Sequence, residues 1–314
     1  MTTNKKMLSA LRKVLYSEKD LIDTYKKERT MVNLTHPNLM RPFYKIWDHK
    51  IYSGGYNIPV RIFFPPKYSK DCSLMIFFHG GGFVTGNINS YSTVCSHMAN
   101  MTNHIVLSVD YRLAPEHPFP TGLEDCYAVV KEVVNNFLLD FQSKKEVILI
   151  GDSAGGNLAA AVSLLARDRK DFKVDKQILL YPATFNDHSE SSPFPSIKEN
   201  GSDYLLTSKR MVDYMNLYVK DPRDFNSPYV APLLAKDLSN QPDTLIITAQ
   251  YDLLRDEGEA YGKRLYEAGN NVDIYRMNNA IHGFIALPTL CTAVKKCYTV
   301  INRFLNKENF NEKK

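Results

Sequence analysis

Short apolar runs, each broken by glycine, proline or a polar turn, recur along the chain and set its frame. Leu74-Met75-Ile76-Phe77-Phe78 and Val147-Ile148-Leu149-Ile150 are apolar at every position, the pattern of strands covered on both faces in a parallel sheet. Val272-Asp273-Ile274-Tyr275-Arg276-Met277 has apolar residues at alternate positions instead. Strands are predicted near 42–52, 57–64, 73–78, 104–110, 146–150, 176–181, 244–249 and 272–278. Helical patterns fill most of the later gaps; Leu158, Ala161, Leu164 and Leu165 recur at helical spacing. Only Gly54-Gly55 and their neighbours separate the first two strands, so that pair is an antiparallel hairpin, because a parallel crossover needs a far longer connection. The rhythm predicts an α/β fold with helices on both faces of a mostly parallel sheet. Prolines 115, 118 and 120 make the stretch after Asp110-Tyr111 an extended connection.

Two segments fall outside this rhythm. Residues 1–40 read as helical, with Leu8, Leu11, Val14, Leu15, Leu21, Ile22 and Tyr25 on one stripe. Residues 186–222 begin polar and proline-rich and then become helical over 210–218.

The chemistry enters at VILIGDSAGGNLAA, residues 147–160. The strand breaks at Gly151, presents Ser153 and resumes as an Ala-rich helix. Gly151 and Gly155 permit a sharp strand-to-helix turn that lifts the serine oxygen above the sheet, beside backbone N–H groups at the helix start. A serine hydroxyl needs a base to take its proton and an acid to hold that base in the right tautomer. In the chain order that accompanies such an elbow, acid and then histidine follow the serine; beyond Ser153 stand only His188 and His282. His188 sits in polar NDHSESSP and reads as a solvated loop. His282 follows the strand-like run 272–277, at a C-terminal strand end, where α/β sites form. The acid is expected at the end of Thr244–Ala249, which makes Asp252 the leading candidate. Asp256, Glu257 and Glu259 read as first-turn acids of the next helix, with Gly269 as its C-cap. His79-Gly80-Gly81-Gly82-Phe83 follows another strand, and its glycines can turn backbone N–H groups toward an oxyanion. It lacks the lysine and spacing of a phosphate-binding or dinucleotide loop.

HGGGF at 79–83, DYRLAPEHPFP at 110–120, GDSAGGN at 151–157, a D-x-L-x-D-E stretch at 252–257 and HGF at 282–284 together resemble the hormone-sensitive-lipase family of α/β-hydrolases, in the branch with GDSAG at the elbow. The resemblance spans roughly residues 70–290 in the family's order and spacing. It implies an α/β-hydrolase fold with a mostly parallel eight-stranded sheet, a single domain over 1–314, and a helical cap made from about 1–40 and 186–222. It also implies a serine carboxylesterase working through an acyl-enzyme, with Ser153 as nucleophile, Asp252 as orienting acid and His282 as general base. Gly81, Gly82 and Ala154 would form the oxyanion hole, with His79, Gly80 and Asp152 shaping the loops. No cofactor or metal is expected. One departure stands out: the acid motif usually reads Asp-Pro-Leu and here reads Asp252-Leu253-Leu254, which removes a proline's rigidity. Short-acyl esters are the expected substrates, with Phe83, Tyr111, Tyr181, Phe185 and Phe284 narrowing the pocket. An amide hydrolase or deacetylase would use the same triad, and a non-catalytic small-molecule receptor would use the same fold.

Composition changes little in this picture. The 314 residues are 44% hydrophobic and 23% charged, with a net charge of +5. Lysines gather at the two ends, which argues for solvated termini and against a nucleic-acid surface. Cysteines 72, 95, 126, 291 and 297 have neither disulfide-framework nor zinc spacing and fit reduced thiols. The N-terminal stretch has no sustained apolar core and no run long enough to span a bilayer, so a cytoplasmic location is expected. The last strand, near 272–278, could pair with a second copy across a two-fold axis.

Overall fold

Successive side chains of a strand point to opposite faces, so a run that is apolar throughout needs cover on both sides. That requirement is met in a computed structural model that describes residues 20–35, 46–69, 72–136 and 146–307. Its strands are β1 (Ile46–Ser53), β2 (Tyr56–Phe63), β3 (Leu74–Phe78), β4 (Ile105–Val109), β5 (Val147–Asp152), β6 (Lys176–Leu180), β7 (Asp243–Tyr251) and β8 (Val272–Ile281). They form one sheet in the order β1-β2-β4-β3-β5-β6-β7-β8. The predicted β1–β2 hairpin is present, and β2 also pairs antiparallel with β4, while every pair from β4 to β8 is parallel.

Two apolar layers flank the sheet. Leu74, Ile76, Phe78, Leu149 and Ile246 face α3 (Thr121–Asn136), α4 (Ala154–Arg169) and α7 (Arg255–Glu267). The alternate residues Met75, Phe77, Ile148, Ile150, Leu245 and Ile247 face α2 (Ser92–Thr102) and α8 (Thr292–Leu305). At roughly 25 cal/mol per Å² of apolar surface, these two layers supply most of the drive to fold.

Of the two segments outside the rhythm, α1 (Leu21–Thr35) is the described part of the first; residues 1–19 and 36–40 lie outside the described residues, as do 42–45 of the first predicted strand. The second holds α5 (Pro195–Asn200) and α6 (Ser208–Tyr218). Helix α6 begins where Thr207 accepts the Arg210 N–H on its side chain, an N-cap that fixes its first turn. Its apolar stripe, Met211, Tyr214, Met215 and Tyr218, is buried. Helices α1 and α6 are joined by Glu28 and Arg210, an ion pair at 2.9 Å whose side chains are both almost wholly buried.

Near the site, β7 and β8 are longer than their apolar runs. A register irregularity between Ala249 and Tyr251 carries β7 to Tyr251, and β8 extends to Ile281. Asp252 and His282 therefore each stand one residue beyond a strand end. Gly269, expected as C-cap, lies two residues past α7 with φ +88° and donates its N–H to the Tyr266 carbonyl.

Candidate active site

The turn from β5 into α4 places Ser153 at φ +56° and ψ −118°, a conformation costly for any residue with a Cβ and held only by surrounding packing. That packing is main chain against main chain. A Cβ on Gly151 would lie 2.2 Å from the Gly155 carbonyl oxygen, and one on Gly155 would lie 1.9 Å from that of Phe78. Ser153 donates its own N–H to the Leu180 carbonyl at 2.9 Å. The Ala154 N–H, at the first position of α4, has no carbonyl one turn back within the helix.

The Ser153 hydroxyl reaches His282. Its Oγ lies 2.9 Å from His282 Nε2, and His282 Nδ1 lies 2.7 Å from Asp252 Oδ2. Asp252 is buried, and its other oxygen accepts the Leu254 N–H at 3.0 Å. With a carboxylate accepting at Nδ1, that nitrogen holds the proton and Nε2 is left to accept one. Three residues far apart in sequence thus form one hydrogen-bonded line.

The glycine loop 80–82 is shaped by hydrogen bonds at its carbonyls. Gly81 has φ +119° and Gly82 φ +62°. The Gly81 carbonyl accepts from the Val84 and Thr85 N–H groups and from Thr85 Oγ1, and the Gly80 carbonyl accepts from His79 Nδ1 at 2.8 Å. In a trans peptide the following N–H points opposite to the carbonyl. Gly81 and Gly82 therefore turn their N–H groups away from these donors, and no described residue accepts either. His79 is fully buried and stacked on Tyr111 at 4.3 Å, and burial pushes its pKa down. It shapes the loop as a neutral ring.

Asp152 ties this loop to the elbow. Its Oδ1 accepts the Gly80 N–H at 2.7 Å, and its Oδ2 accepts from Tyr91 at 3.1 Å and from Tyr181 at 3.5 Å. Burial raises its pKa from 3.8 to about 6, against the pull of the Gly80 and Tyr91 hydrogen bonds and of His282. Tyr91 escaped the sequence reading, since nothing in its local context marks it. Asn157 was visible only as part of a motif string; it donates to the Ala183 and Val230 carbonyls at 2.8 and 2.7 Å and anchors the chain leading away from β6.

Two expectations need correction. His188 is not on a solvated loop: it is buried, with Nε2 3.1 Å from Glu257 Oε2. Glu257, read as an acid favoured by the helix dipole, is also buried and accepts the Thr184 and Phe185 N–H groups at 2.7 and 3.2 Å. The aromatic residues expected to narrow the pocket mostly pack against other rings. Phe83 stacks on Tyr218 at 3.8 Å, Tyr111 on His79, and Tyr181 sits edge-on to both His282 and Phe284 at 4.9 and 5.0 Å. Of the five, only Phe185 is partly exposed. The ring that does crowd the glycine loop is Tyr214 of α6, 2.3 Å from where a Cβ on Gly82 would stand.

Among the described residues, no cluster of His, Cys, Asp and Glu could hold a metal ion and no helix is long and apolar enough to cross a membrane.

A mostly parallel α/β sheet with a serine on the β5–α4 turn and a histidine and aspartate at neighbouring strand ends defines an α/β-hydrolase. Residues 75–286 match the family described as alpha/beta hydrolase fold, and the chain belongs to that family, in its hormone-sensitive-lipase-like branch. It is 38% identical over 242 residues to an arylesterase of Saccharolobus solfataricus, covering 77% of each chain. It is 32% identical over 280 residues to the carboxylesterase NlhH of Mycobacterium tuberculosis, covering 87% of this chain and 86% of that one. An esterase structure from Pyrobaculum calidifontis superposes with a TM-score of 0.84 at 34% identity, over 95% of this chain and 98% of the other. The protein is a carboxylic ester hydrolase.

Proposed function

We propose that Ser153 is the nucleophile, His282 the general base and Asp252 the orienting acid in the hydrolysis of short-acyl esters. The observation that carries this reading is the hydrogen-bonded line Ser153–His282–Asp252, at 2.9 and 2.7 Å. Ser153 Oγ attacks the ester carbonyl while His282 Nε2 takes its proton, and Asp252 stabilises the imidazolium that forms. The oxyanion is received by the N–H groups of Gly81, Gly82 and Ala154, already turned and without another acceptor among the described residues, so little reorganisation is needed as charge develops. Collapse breaks the ester C–O bond, with the imidazolium proton going to the departing alcohol. Water then attacks the acyl-enzyme, its proton passing through His282 back to Ser153 as the carboxylic acid leaves.

In this reading the segments holding α1, α5 and α6 are a cap on a single domain, Tyr214 crowds the glycine loop at Gly82, and the substrates carry acyl chains of roughly two to six carbons. The exposed edge of β8 offers pairing to a second copy. A reducing compartment, the cytoplasm, suits the five free thiols, of which Cys95, Cys126 and Cys297 are buried with pKa values pushed up by burial.

A fluorophosphonate probe and an aryl acetate test the core of the reading together. The native enzyme should be labelled at Ser153, and Ser153→Ala should fold normally yet lose labelling and at least about a thousandfold in kcat. A variant retaining more than about a tenth of kcat would refute it.

A further inference from the structure

The loop that carries Asp252 packs Leu253 and Leu254 into the apolar core but makes few hydrogen bonds of its own. It runs between Tyr251, which ends β7, and Arg255, which starts α7. Its internal hydrogen bonds are the Leu254 N–H on Asp252 Oδ1 and a 3.3 Å contact from the Arg255 N–H to the Asp252 carbonyl. Leu253 leaves φ free at the position after the acid, where a proline would fix it.

Its carbonyls receive further hydrogen bonds from α5. Ser196 Oγ donates to the Leu253 carbonyl at 2.7 Å, and Asn200 Nδ2 donates to the Asp252 carbonyl at 3.2 Å. Ser196 also donates its N–H to Asp256 Oδ2 at 2.7 Å. Ser196 and Asn200 are four residues apart, so both stand on one face of the helix. Both are buried, at 0% and 4% exposure. Competition from water is therefore weak: the Leu253 carbonyl relies on Ser196, and the Asp252 carbonyl on Asn200 beside the longer Arg255 N–H contact.

We propose that Ser196 and Asn200 are positioning residues for Asp252, holding the acid's main chain so that its carboxylate stays on His282 Nδ1. The proposal rests on the reading of Asp252 as the orienting acid. Helix α5 thereby does more than cover the site: the geometry of the catalytic line depends on its being docked. Loosening the loop weakens the restraint on the imidazole, which acts in the chemical step. The effect falls on kcat, because neither residue touches substrate in this scheme.

The test compares Ser196→Ala, Asn200→Ala and the double variant with the native enzyme on an aryl acetate. It is paired with proton NMR of the far-downfield resonance from the proton shared by His282 Nδ1 and Asp252. The double variant should lose on the order of 10- to 100-fold in kcat with KM little changed, and the resonance should broaden or move upfield. An unchanged kcat and resonance, with only a lower thermal midpoint, would show a purely structural contact and overturn the proposal. If Ser196→Ala does not fold, Asn200→Ala carries the test alone, since it removes a single bond. Asp252→Asn serves as the control: near-native activity there would defeat the triad reading, whereas an inactive Asp252→Asn beside native-like clamp variants defeats the clamp.

Discussion

At the elbow, main chain packs on main chain until no side-chain carbon fits; at the acid loop, side chains reach across from another segment to hold main chain that makes few hydrogen bonds of its own. Gly151 and Gly155 leave Ser153 no alternative course, because any added Cβ would overlap a carbonyl. Asp252, by contrast, is kept in place by donors from α5 and by its neighbour's N–H. Steric exclusion is all-or-none, whereas hydrogen bonds can be removed singly, each at a modest net cost. The two halves of the site should therefore fail differently. Changes at the elbow should remove the fold or the nucleophile outright, and changes around the acid loop should grade the rate.

The largest expected effect lies on the acid itself. Asp252→Asn leaves the imidazole in the wrong tautomer and should lower kcat by roughly three to four orders of magnitude while the thermal midpoint stays close to native. Steady-state kinetics beside calorimetry will check both halves of that statement.

On the elbow side, Gly155→Ala drives a methyl into the Phe78 carbonyl. Overpacking with no flexible neighbour should cost roughly 3 kcal/mol or more, measured by denaturant unfolding. A stable, active Gly155→Ala would show that the elbow can relax, and the contrast between the two regions would collapse.

Asp152 joins the regions, and its pH dependence sharpens the comparison. Folding raises its pKa from 3.8 to about 6, so the folded state binds the proton more tightly than the unfolded chain. Its effect on stability is thus absent below about pH 4 and grows unfavourable as pH climbs through about 6, by roughly 3 kcal/mol at most. Asp152→Asn can still accept from Gly80 and carries no charge. Its stability relative to the native enzyme should therefore improve between pH 4 and 7, and a difference that is flat or runs the other way would contradict the assignment.

The smallest effect separates the two neighbouring acids. Asp256 binds Arg255 and the Ser196 N–H and stands in the first turn of α7, so Asp256→Asn should cost about 1 kcal/mol of stability. Its kcat should move far less than that of Asp252→Asn, and a severe rate loss would mean that Asp256 serves the histidine more directly than Asp252.

Much of the site was legible because the relevant constraints are local. A glycine pair around a serine, a glycine run after an apolar strand and a histidine after an alternating strand each announce their geometry within a few residues. Strand ends were less legible: the irregularity in β7 and the extension of β8 bring Asp252 and His282 to the strand ends, and neither shows in the apolar pattern. His188 was misread because its polar neighbours say nothing of Glu257, which reaches it from α7. Tyr91 gave no signal, since a tyrosine before a helix looks the same whether its hydroxyl meets solvent or Asp152.

The sequence by itself determined the class of fold, the order along the chain of the residues proposed to react and the glycines that permit the sharp turns beside them. These follow from periodicity and from steric limits that act within one or two turns of chain. Tertiary structure alone decided which buried polar groups meet: Asp152 with Gly80 and Tyr91, Glu257 with His188, and Ser196 and Asn200 with the acid loop. Each of these pairs joins residues distant in sequence, and a buried donor or acceptor must find a partner wherever packing brings one. Composition and spacing record that such groups exist, while only the packed chain sets the distances between them.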